Sequence, residues 1–330
     1  MKHIRYFVVA TVALVCVALW LVKSTARSTT LTSFSKGRQN SFLLYAHLSN
    51  RILVVERGGV RSVDTGMGNK YLYHHAEPAV SPSARAIVFV RPSQTPRNED
   101  IVLCESPKNE ERLLLSWPGN VWSIAWAPGG SRLAFVADRD SGSGTSRSLY
   151  LFYLASGQVD DLTPWVRSVS VYSAPSWSPT GDRIAFEKYS RTPKGDLQNV
   201  MIVDVATKST ETIADGWFPS WSPDGNKLAY VALNGSRCYT VDLRHRQRRL
   251  LWWSLRTLFT EDIIGPAIWA PSGGGALFNV TSGMKGDSRV GYYVDFASGK
   301  TRRVWYDSAF EVVGWLGHGS QDTAEPKPNR

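Results

Sequence analysis

Short apolar runs follow tight polar corners at regular distances along this chain. In the clearest copy, the run from Lys227 to Val231 sets β-branched and aromatic residues around the small Ala229. Runs of this length and composition, bounded by turn residues, are typical of buried β-strands. Matching runs occupy positions 86–90, 132–136 and 183–186. The pattern therefore predicts an all-β chain built from many short strands.

Each of these runs comes directly after a corner with the pattern Trp-x-Pro-x-Gly. In the best copy Pro223 presets the φ angle of a tight turn, Asp224 can accept hydrogen bonds from backbone amides, and Gly225 tolerates a left-handed conformation. We expect the Trp to end one strand and the apolar run to begin the next. The copies begin at Trp126, Trp177, Trp221 and Trp269, with weaker copies at Val80 and Trp315.

The distance between corners predicts the architecture. Successive copies are separated by 46, 51, 44, 48 and 46 residues. This is the length of a four-stranded propeller blade. A third strand, a second turn and a short fourth strand follow each apolar run, as in 148–154 and 158–162. We therefore predict a six-bladed β-propeller with four-stranded blades.

The first and last parts of the repeat array each hold part of one blade. Segments 42–46, 51–56 and 60–64 have the pattern of second, third and fourth strands without a first, whereas 311–315 has that of a first strand alone. A blade shared by these segments would join the two ends of the ring and remove an open sheet edge. We predict one propeller domain over 42–317 and a disordered tail over 318–330.

A separate apolar segment precedes the repeats. Tyr6 to Val22 contains no charged residue, and it follows a short basic stretch. Its seventeen residues are near the short limit for a membrane span and slightly longer than a usual signal-peptide core, so length does not separate an anchor from a cleaved signal. We predict a membrane anchor or signal over 1–23, then a Ser/Thr-rich basic linker over 24–41. The propeller is expected on the extracytoplasmic side, either tethered or secreted.

The positive charge of the chain is concentrated outside the repeats. The formal net charge is +10, and residues 1–40 contribute six Lys or Arg without any acid, which leaves about +4 for the remainder. This distribution gives little support to nucleic-acid binding. One basic run, from Arg244 to Arg249, lies at a turn. It is either a solvated corner or a contact for anionic lipid headgroups or an acidic partner.

The corner sequence resembles a known repeat. Trp221-Ser222-Pro223-Asp224-Gly225 followed by Lys227-Leu228-Ala229-Tyr230 is similar to the repeat of the TolB-like six-bladed propellers, and the resemblance covers 42–317. That superfamily includes periplasmic TolB, the propeller domains of prolyl-oligopeptidase-type peptidases, and glycan lyases. This chain has neither the separate α/β domain of TolB nor the Gly-x-Ser-x-Gly phrase of the peptidases. By analogy, the resemblance implies a binding scaffold.

The segments that lead into the first strands hold the candidate site. In a propeller these segments gather around one mouth of the central channel. They supply His74, His75, Glu77, Trp122, Tyr172, Trp217, Phe218, Glu261, Asp262 and Glu311. The aromatic members either pack between blades or form a platform for a sugar or peptide. Glycan lyases of the superfamily bind a metal through channel His and Gln residues, which directs attention to His74 and His75.

Neither a metal nor a cofactor is predicted, because adjacent strand residues point to opposite faces and the chain contains only six His. Two functions remain open. The first is a membrane-tethered, non-catalytic scaffold that binds an unidentified protein or glycan. The second is a carbohydrate-active lyase or hydrolase with its site at the channel mouth.

Overall fold

The computed structural model describes residues 29–30, 41–46, 51–56, 59–63, 78–83, 86–105, 110–138, 146–166, 169, 173–192, 195–253, 262–282, 288–305 and 311–316. Every regular element among them is a β-strand, as the sequence predicts. These ranges contain no helix long and apolar enough to cross a membrane. The predicted anchor or signal segment, Tyr6 to Val22, and the predicted tail, 318–330, lie outside them.

In chain order the strands are β1 (Thr29–Thr30), β2 (Ser41–Ala46), β3 (Arg51–Glu56), β4 (Gly59–Val63), β5 (Ala79–Val80), β6 (Ala86–Pro92), β7 (Asn98–Glu105), β8 (Glu110–Pro118), β9 (Val121–Trp126), β10 (Arg132–Asp138), β11 (Arg147–Tyr153), β12 (Val159–Asp161), β13 (Ser176–Trp177), β14 (Arg183–Thr192), β15 (Gly195–Asp204), β16 (Thr210–Asp215), β17 (Trp217–Trp221), β18 (Lys227–Val231), β19 (Arg237–Asp242), β20 (Arg248–Trp253), β21 (Asp262–Ile263), β22 (Ile268–Trp269), β23 (Gly275–Ser282), β24 (Ser288–Asp295), β25 (Thr301–Trp305) and β26 (Glu311–Leu316).

The described strands form six sheets, five of which have four antiparallel strands in simple order. We number them along the chain: sheet 1 is β5-β6-β7-β8, sheet 2 is β9-β10-β11-β12, sheet 3 is β13-β14-β15-β16 and sheet 4 is β17-β18-β19-β20. Sheet 5 contains β23, β24 and β25, with β21 and β22 both pairing with β23. Sheet 6 is β26-β2-β3-β4. Repeated four-stranded antiparallel sheets of this kind are consistent with a propeller.

Two sheets combine strands that are far apart in sequence. In sheet 6, β26 pairs antiparallel with β2 and places Trp315 opposite Phe42. In sheet 5, β1 pairs parallel with the outer strand β25, with Thr29 opposite Val304. The sequence analysis assigned Thr29 and Thr30 to a linker. Threonine is enriched in strands, and here the two residues form a short edge strand that pairs with the outer strand of sheet 5.

The corners form as the sequence predicts. Strands β9, β13, β17 and β22 each end at the Trp of a corner, and β10, β14 and β18 begin after it. At the best copy Gly225 has φ of 71°, and its backbone amide donates to the Ser222 carbonyl over 2.9 Å. Asp224 accepts hydrogen bonds from the Ser222 hydroxyl and the Asn226 amide, and these bonds lower the pKa of its carboxyl. The corner is therefore a tight turn stabilised by hydrogen bonds between its own residues.

The core lies between the sheets. Four apolar clusters are buried between sheets 1 and 2, 2 and 3, 3 and 4, and 4 and 5. The second strands contribute Phe89, Phe135, Phe186, Tyr230 and Phe278, which are almost fully buried. Indole groups also link neighbouring sheets, since Trp126 Nε1 donates to the Ala79 carbonyl and Trp269 Nε1 to the Ser220 carbonyl. Sheets 1 to 5 are thus packed face to face in chain order.

Candidate functional site

The two ends of the sheets differ in chemistry. We call the end where first strands begin the mouth end, and the end that carries the Trp-x-Pro-x-Gly turns the corner end. Of the predicted site residues, Trp122, Trp217, Phe218 and Asp262 are described and lie at the mouth end. Glu311 begins β26, where its backbone pairs with Tyr45. The predicted residues His74, His75, Glu77, Tyr172 and Glu261 lie outside the described residues.

A buried carboxylate holds Trp122 in place. Asp138, only 3% exposed, accepts from Trp122 Nε1 at 2.8 Å and from Asn120 Nδ2 at 2.7 Å, one donor on each oxygen. The Arg147 guanidinium lies 3.4 Å from the oxygen that Trp122 contacts, and stacks over the Trp122 ring at 4.6 Å. The charge of Asp138 is therefore balanced locally, and both of its oxygens are engaged.

A second buried carboxylate connects sheets 3 and 4. Glu187, 2% exposed, accepts from the Ser173 hydroxyl at 2.7 Å and from Gln198 Nε2 at 2.8 Å. It also accepts from the backbone amide of Phe218 in the next sheet, at 2.6 Å. A carboxylate in this position would be unfavourable without such donors, because burial removes its hydration. Glu187 is thus a structural acceptor that fixes the start of β17.

The backbone at Phe218 is held in an uncommon conformation. Its φ of 55° lies in the left-handed region, and a bulge between Trp217 and Ser220 interrupts the pairing of β17 with β18. The preceding Gly216 approaches β18 so closely that a Cβ there would lie 2.3 Å from the Val231 carbonyl oxygen. The hydrogen bond to Glu187 stabilises this arrangement. Both aromatic side chains, Trp217 and Phe218, are half-buried and pack against the core between sheets 4 and 5.

Asp262 belongs to a different sheet from these networks. It is half-buried at the start of β21, where it pairs with Thr281. Its backbone carbonyl accepts from the Thr281 hydroxyl at 3.4 Å. Across the described ranges, no three His, Cys, Asp or Glu side chains come close enough together to hold a metal ion. The structure therefore places the described members of the predicted set at one end of the sheets, but distributes them among separate hydrogen-bond networks.

The sequence analysis missed the side chains that organise the mouth end. Asp138, Arg147, Glu187 and Gln198 lie in second and third strands, whereas only the segments before first strands were considered. One signal was present. Glu187 follows the apolar Ile184–Phe186 at the position that Val231 takes in sheet 4, and a charge inside a buried run indicates a specific partner.

The comparisons with solved structures show the fold. TolB from Acinetobacter baumannii superposes with a TM-score of 0.59 at 13% identity, over 84% of this chain and 66% of that one. A chain of the nidogen/laminin complex gives 0.58 at 9% identity, over 84% and 97% of the two chains. An oligogalacturonate lyase in complex with manganese gives 0.52 at 13% identity, over 80% and 71%. The fold is that of a TolB-like β-propeller.

The resemblance read from the corner repeat is therefore confirmed at the level of the fold. No protein-family model matches the sequence, and no curated protein matches it. Part of TolB lies outside the match, and the identities are too low to carry an activity across. The function of this TolB-like propeller has to be argued from its own side chains.

Proposed function

We propose that this chain is a six-bladed propeller, tethered or exported through Tyr6 to Val22, that acts as a non-catalytic binding scaffold on the extracytoplasmic side. Six described sheets, together with corners spaced 44 to 51 residues apart, support six blades, and the pairing of β26 with β2 supports a ring closed by both ends of the repeat array. The apolar segment after a short basic stretch supports export.

The observation that carries the proposal is the state of two buried carboxylates at the mouth end, Asp138 and Glu187. Both oxygens of Asp138 and of Glu187 accept hydrogen bonds from neighbouring side chains or backbone. A general acid or base must reach a substrate proton, and a metal ligand must direct a lone pair at the ion. Carboxylates saturated by structural donors do neither. Among the described residues, the charges of Asp138 and Glu187 therefore support the fold, which favours a binding role over catalysis at these two positions.

The alternative is a carbohydrate-active lyase or hydrolase, the class suggested by the oligogalacturonate lyase with manganese. It would require His74, His75, Glu261 and Asp262 to converge. The test is to assay the full-length chain on oligogalacturonate with and without Mn²⁺, beside a variant with all four residues changed to Ala. We expect no turnover from either protein. Turnover that the fourfold variant loses would establish the enzyme and contradict the scaffold.

Partner capture provides the complementary measurement. Cross-linking in intact cells should attach the same protein or glycan to the wild type and to the fourfold variant, because the scaffold does not depend on those side chains. Loss of all capture in the variant would contradict this. A reporter fused after Arg330 tests the orientation, and we expect it outside the cytoplasm. A cytoplasmic reporter would overturn the proposed location.

A further inference from the structure

The corner end is closed at two sheet interfaces by an arginine. Arg132, the first residue of β10, stacks over Trp177 of sheet 3 at 5.2 Å and donates to the Gly181 carbonyl at 2.8 Å. Arg183, at the same position in β14, stacks over Trp221 of sheet 4 at 4.9 Å. In each case a long side chain from one sheet covers the corner tryptophan of the next, and it fills the groove between them.

The prolines of the corners show the same closure independently. A Cβ at Gly181 would lie 3.8 Å from Pro128 Cδ of the preceding corner, and one at Gly225 would lie 3.6 Å from Pro179 Cδ. At Gly130 and Gly273, by contrast, nothing in the described part of the chain comes within 4 Å of such a Cβ. The corner that begins at Trp177 therefore contacts those that begin at Trp126 and Trp221, whereas the described parts of the corners at Val80 and Trp126, and of those at Trp221 and Trp269, stand apart.

Of the four interfaces between sheets 1 and 5 that the structure describes, two are open, and in both the arginine is replaced. Ala86 begins the second strand of sheet 1, and Lys227 begins that of sheet 4. Each position lines a cavity beside the corner tryptophan of the next sheet, Trp126 or Trp269. The cavity between sheets 1 and 2 has a volume of about 600 Å³, and that between sheets 4 and 5 about 560 Å³. Both volumes fall within the range of ligand sites.

The groove between sheets 4 and 5 has an aromatic floor. Trp269 contacts Phe296 edge to face at 5.6 Å, and Trp252 stacks on Phe278 at 5.1 Å. Trp252, Trp253, Trp269 and Phe296 all line the groove. Among the described residues, the groove between sheets 1 and 2 is lined by one aromatic residue, Trp126. A floor of rigid, packed rings suits an apolar side chain that is inserted from outside.

The rim of the same groove carries charges of both signs. Lys227 and Arg249 are exposed, and neither lies within ion-pair distance of a carboxylate in the described ranges, although Lys227 interacts electrostatically with Asp224 of its own corner. Two acids also line the groove and keep their negative charge, although each accepts hydrogen bonds from its own turn. Asp242 accepts from the backbone amides of residues 244 and 245, and Asp295 accepts from that of residue 298. In the adjacent basic run 244–249, Arg246 pairs with Glu211, whereas Arg244 and Arg248 add positive charge, so that basic residues are in excess around the groove.

The groove also runs beside an edge strand. Leu250 to Trp253 of β20 line it, and β20 is the last strand of sheet 4. An edge strand offers backbone donors and acceptors to an extended chain. Sheet 5 shows this type of pairing, since its outer strand β25 pairs with β1. An extended peptide is therefore a better geometric match than a compact ligand.

We propose that the groove between sheets 4 and 5 binds an acidic, extended peptide segment of a partner protein, with one apolar side chain on the tryptophan floor. This inference rests on the scaffold function and names its partner class. The carboxylates of the peptide face Lys227 and Arg249, and its apolar side chain contacts Trp269. The groove between sheets 1 and 2 lacks the aromatic floor and does not bind it.

The test measures fluorescence anisotropy of a labelled hexapeptide, a Leu-Phe pair flanked by acidic residues, with the full-length protein in detergent. We expect saturable binding that falls at least about tenfold when the acids are replaced by their amides. Lys227→Arg keeps the charge but lets the side chain stack over Trp269, so it should weaken binding at least about tenfold. Arg249→Gln should weaken it through lost charge.

Ala86→Arg is the matched control, because it fills the other groove and should leave peptide binding unchanged. Circular dichroism and thermal unfolding of each variant establish that the fold is retained. The proposal is overturned if no saturable binding occurs up to about 1 mM peptide, if the amide peptide binds equally, or if Ala86→Arg acts like Lys227→Arg. It is also overturned if anionic phospholipid vesicles, but not the peptide, bind in a Lys227-dependent way. Turnover of oligogalacturonate would contradict the scaffold function separately.

Discussion

The closed interface between sheets 3 and 4 and the open one between sheets 4 and 5 are built from the same repeat. Each has a corner tryptophan, Trp221 or Trp269, facing the first residue of the preceding second strand. In the closed interface that residue is Arg183, which stacks over Trp221 at 4.9 Å. In the open one it is Lys227, and a cavity of about 560 Å³ remains. At this position the closed interface has an arginine, and the open interface, which is the candidate binding groove, has a lysine.

The comparison shows how a repeat protein can acquire a site without disturbing its scaffold. The corner turns and the buried second strands are common to both interfaces, so they carry stability. The position that differs lies at the surface, where replacing Arg by Lys or Ala leaves the core intact. Specific function is therefore expected where the copies depart from one another.

The largest expected difference in stability is between the alanine variants of Trp221 and Trp269. Trp221→Ala should destabilise the protein by about 3–5 kcal/mol, because a buried side chain leaves a cavity between tightly packed sheets. Trp269 is half-buried and borders an existing groove, so Trp269→Ala should cost less, about 2 kcal/mol. Urea unfolding of both variants measures the difference. Equal losses would show that the two interfaces are packed alike.

The next comparison concerns carboxylates that bridge sheets at the mouth end. Glu187 is buried and accepts three hydrogen bonds, one of them from Phe218 N in sheet 4. Glu187→Ala should cost about 2–4 kcal/mol, since it leaves those donors unsatisfied. Glu99 bridges sheets 1 and 2 by accepting from Val121 N at 2.6 Å, but it is only half-buried.

Glu99→Ala should accordingly cost about 1 kcal/mol. Thermal unfolding of the pair gives the ranking. A Glu187→Ala variant as stable as the wild type would contradict the structural role of this carboxylate, and with it the argument against catalysis. The same result would make Glu187 a candidate general acid or base.

A smaller loss of stability is expected when Arg183 or Lys227, the residues beside the corner tryptophans, is replaced. Arg183→Ala removes a cation–π contact and the packing of an aliphatic stem, and it should destabilise by about 1 kcal/mol. Lys227→Ala removes an exposed side chain beside a groove and should change stability by less than about 0.5 kcal/mol. Denaturant titrations under one set of conditions provide the check. A larger loss for Lys227→Ala would mean that Lys227 stabilises its interface.

The smallest effect is a pH dependence of the corners. The Thr180 and Ser178 hydroxyls lower the pKa of Asp182 below its ordinary 3.8 by donating hydrogen bonds. A depressed folded-state pKa adds stability above the unfolded value, and this stability is lost as the pH falls below about 3.8. The advantage of the wild type over Asp182→Asn should therefore shrink in that range. The corner that begins at Trp269 has Ser272 at the position of Thr180 and Gly274 at that of Asp182, so it lacks the carboxylate and Ser272→Ala should show no such dependence.

Much of the fold could be predicted because each repeat is determined by residues that are close together in sequence. Pro223 and Gly225 determine a turn within a few residues, and Lys227 to Val231 has the composition of a buried strand. The spacing of the corners then predicts the four-stranded sheets. Thr29 and Thr30 were missed, because an edge strand of two residues depends on a distant partner, β25, rather than on its own sequence.

The site was less predictable for a physical reason. Offsets from each corner placed Trp122, Trp217 and Phe218 at the mouth end, but could not show that Asp138 and Glu187 hold two of them there. Those contacts join residues 16 and 31 positions apart, one within a sheet and one between sheets. The grooves are harder still to predict from sequence, because an open interface is recognised only by knowing which side chain would fill it.

A crystal structure of the Lys227→Arg variant tests the central claim most directly. The account predicts that the new guanidinium stacks over the Trp269 ring, within about 6 Å of its centroid, and closes the groove. Arg132 and Arg183 provide the reference geometry, at 5.2 Å and 4.9 Å over Trp177 and Trp221. A guanidinium directed into solvent above an unchanged cavity would contradict the claim that this one position decides whether an interface is open.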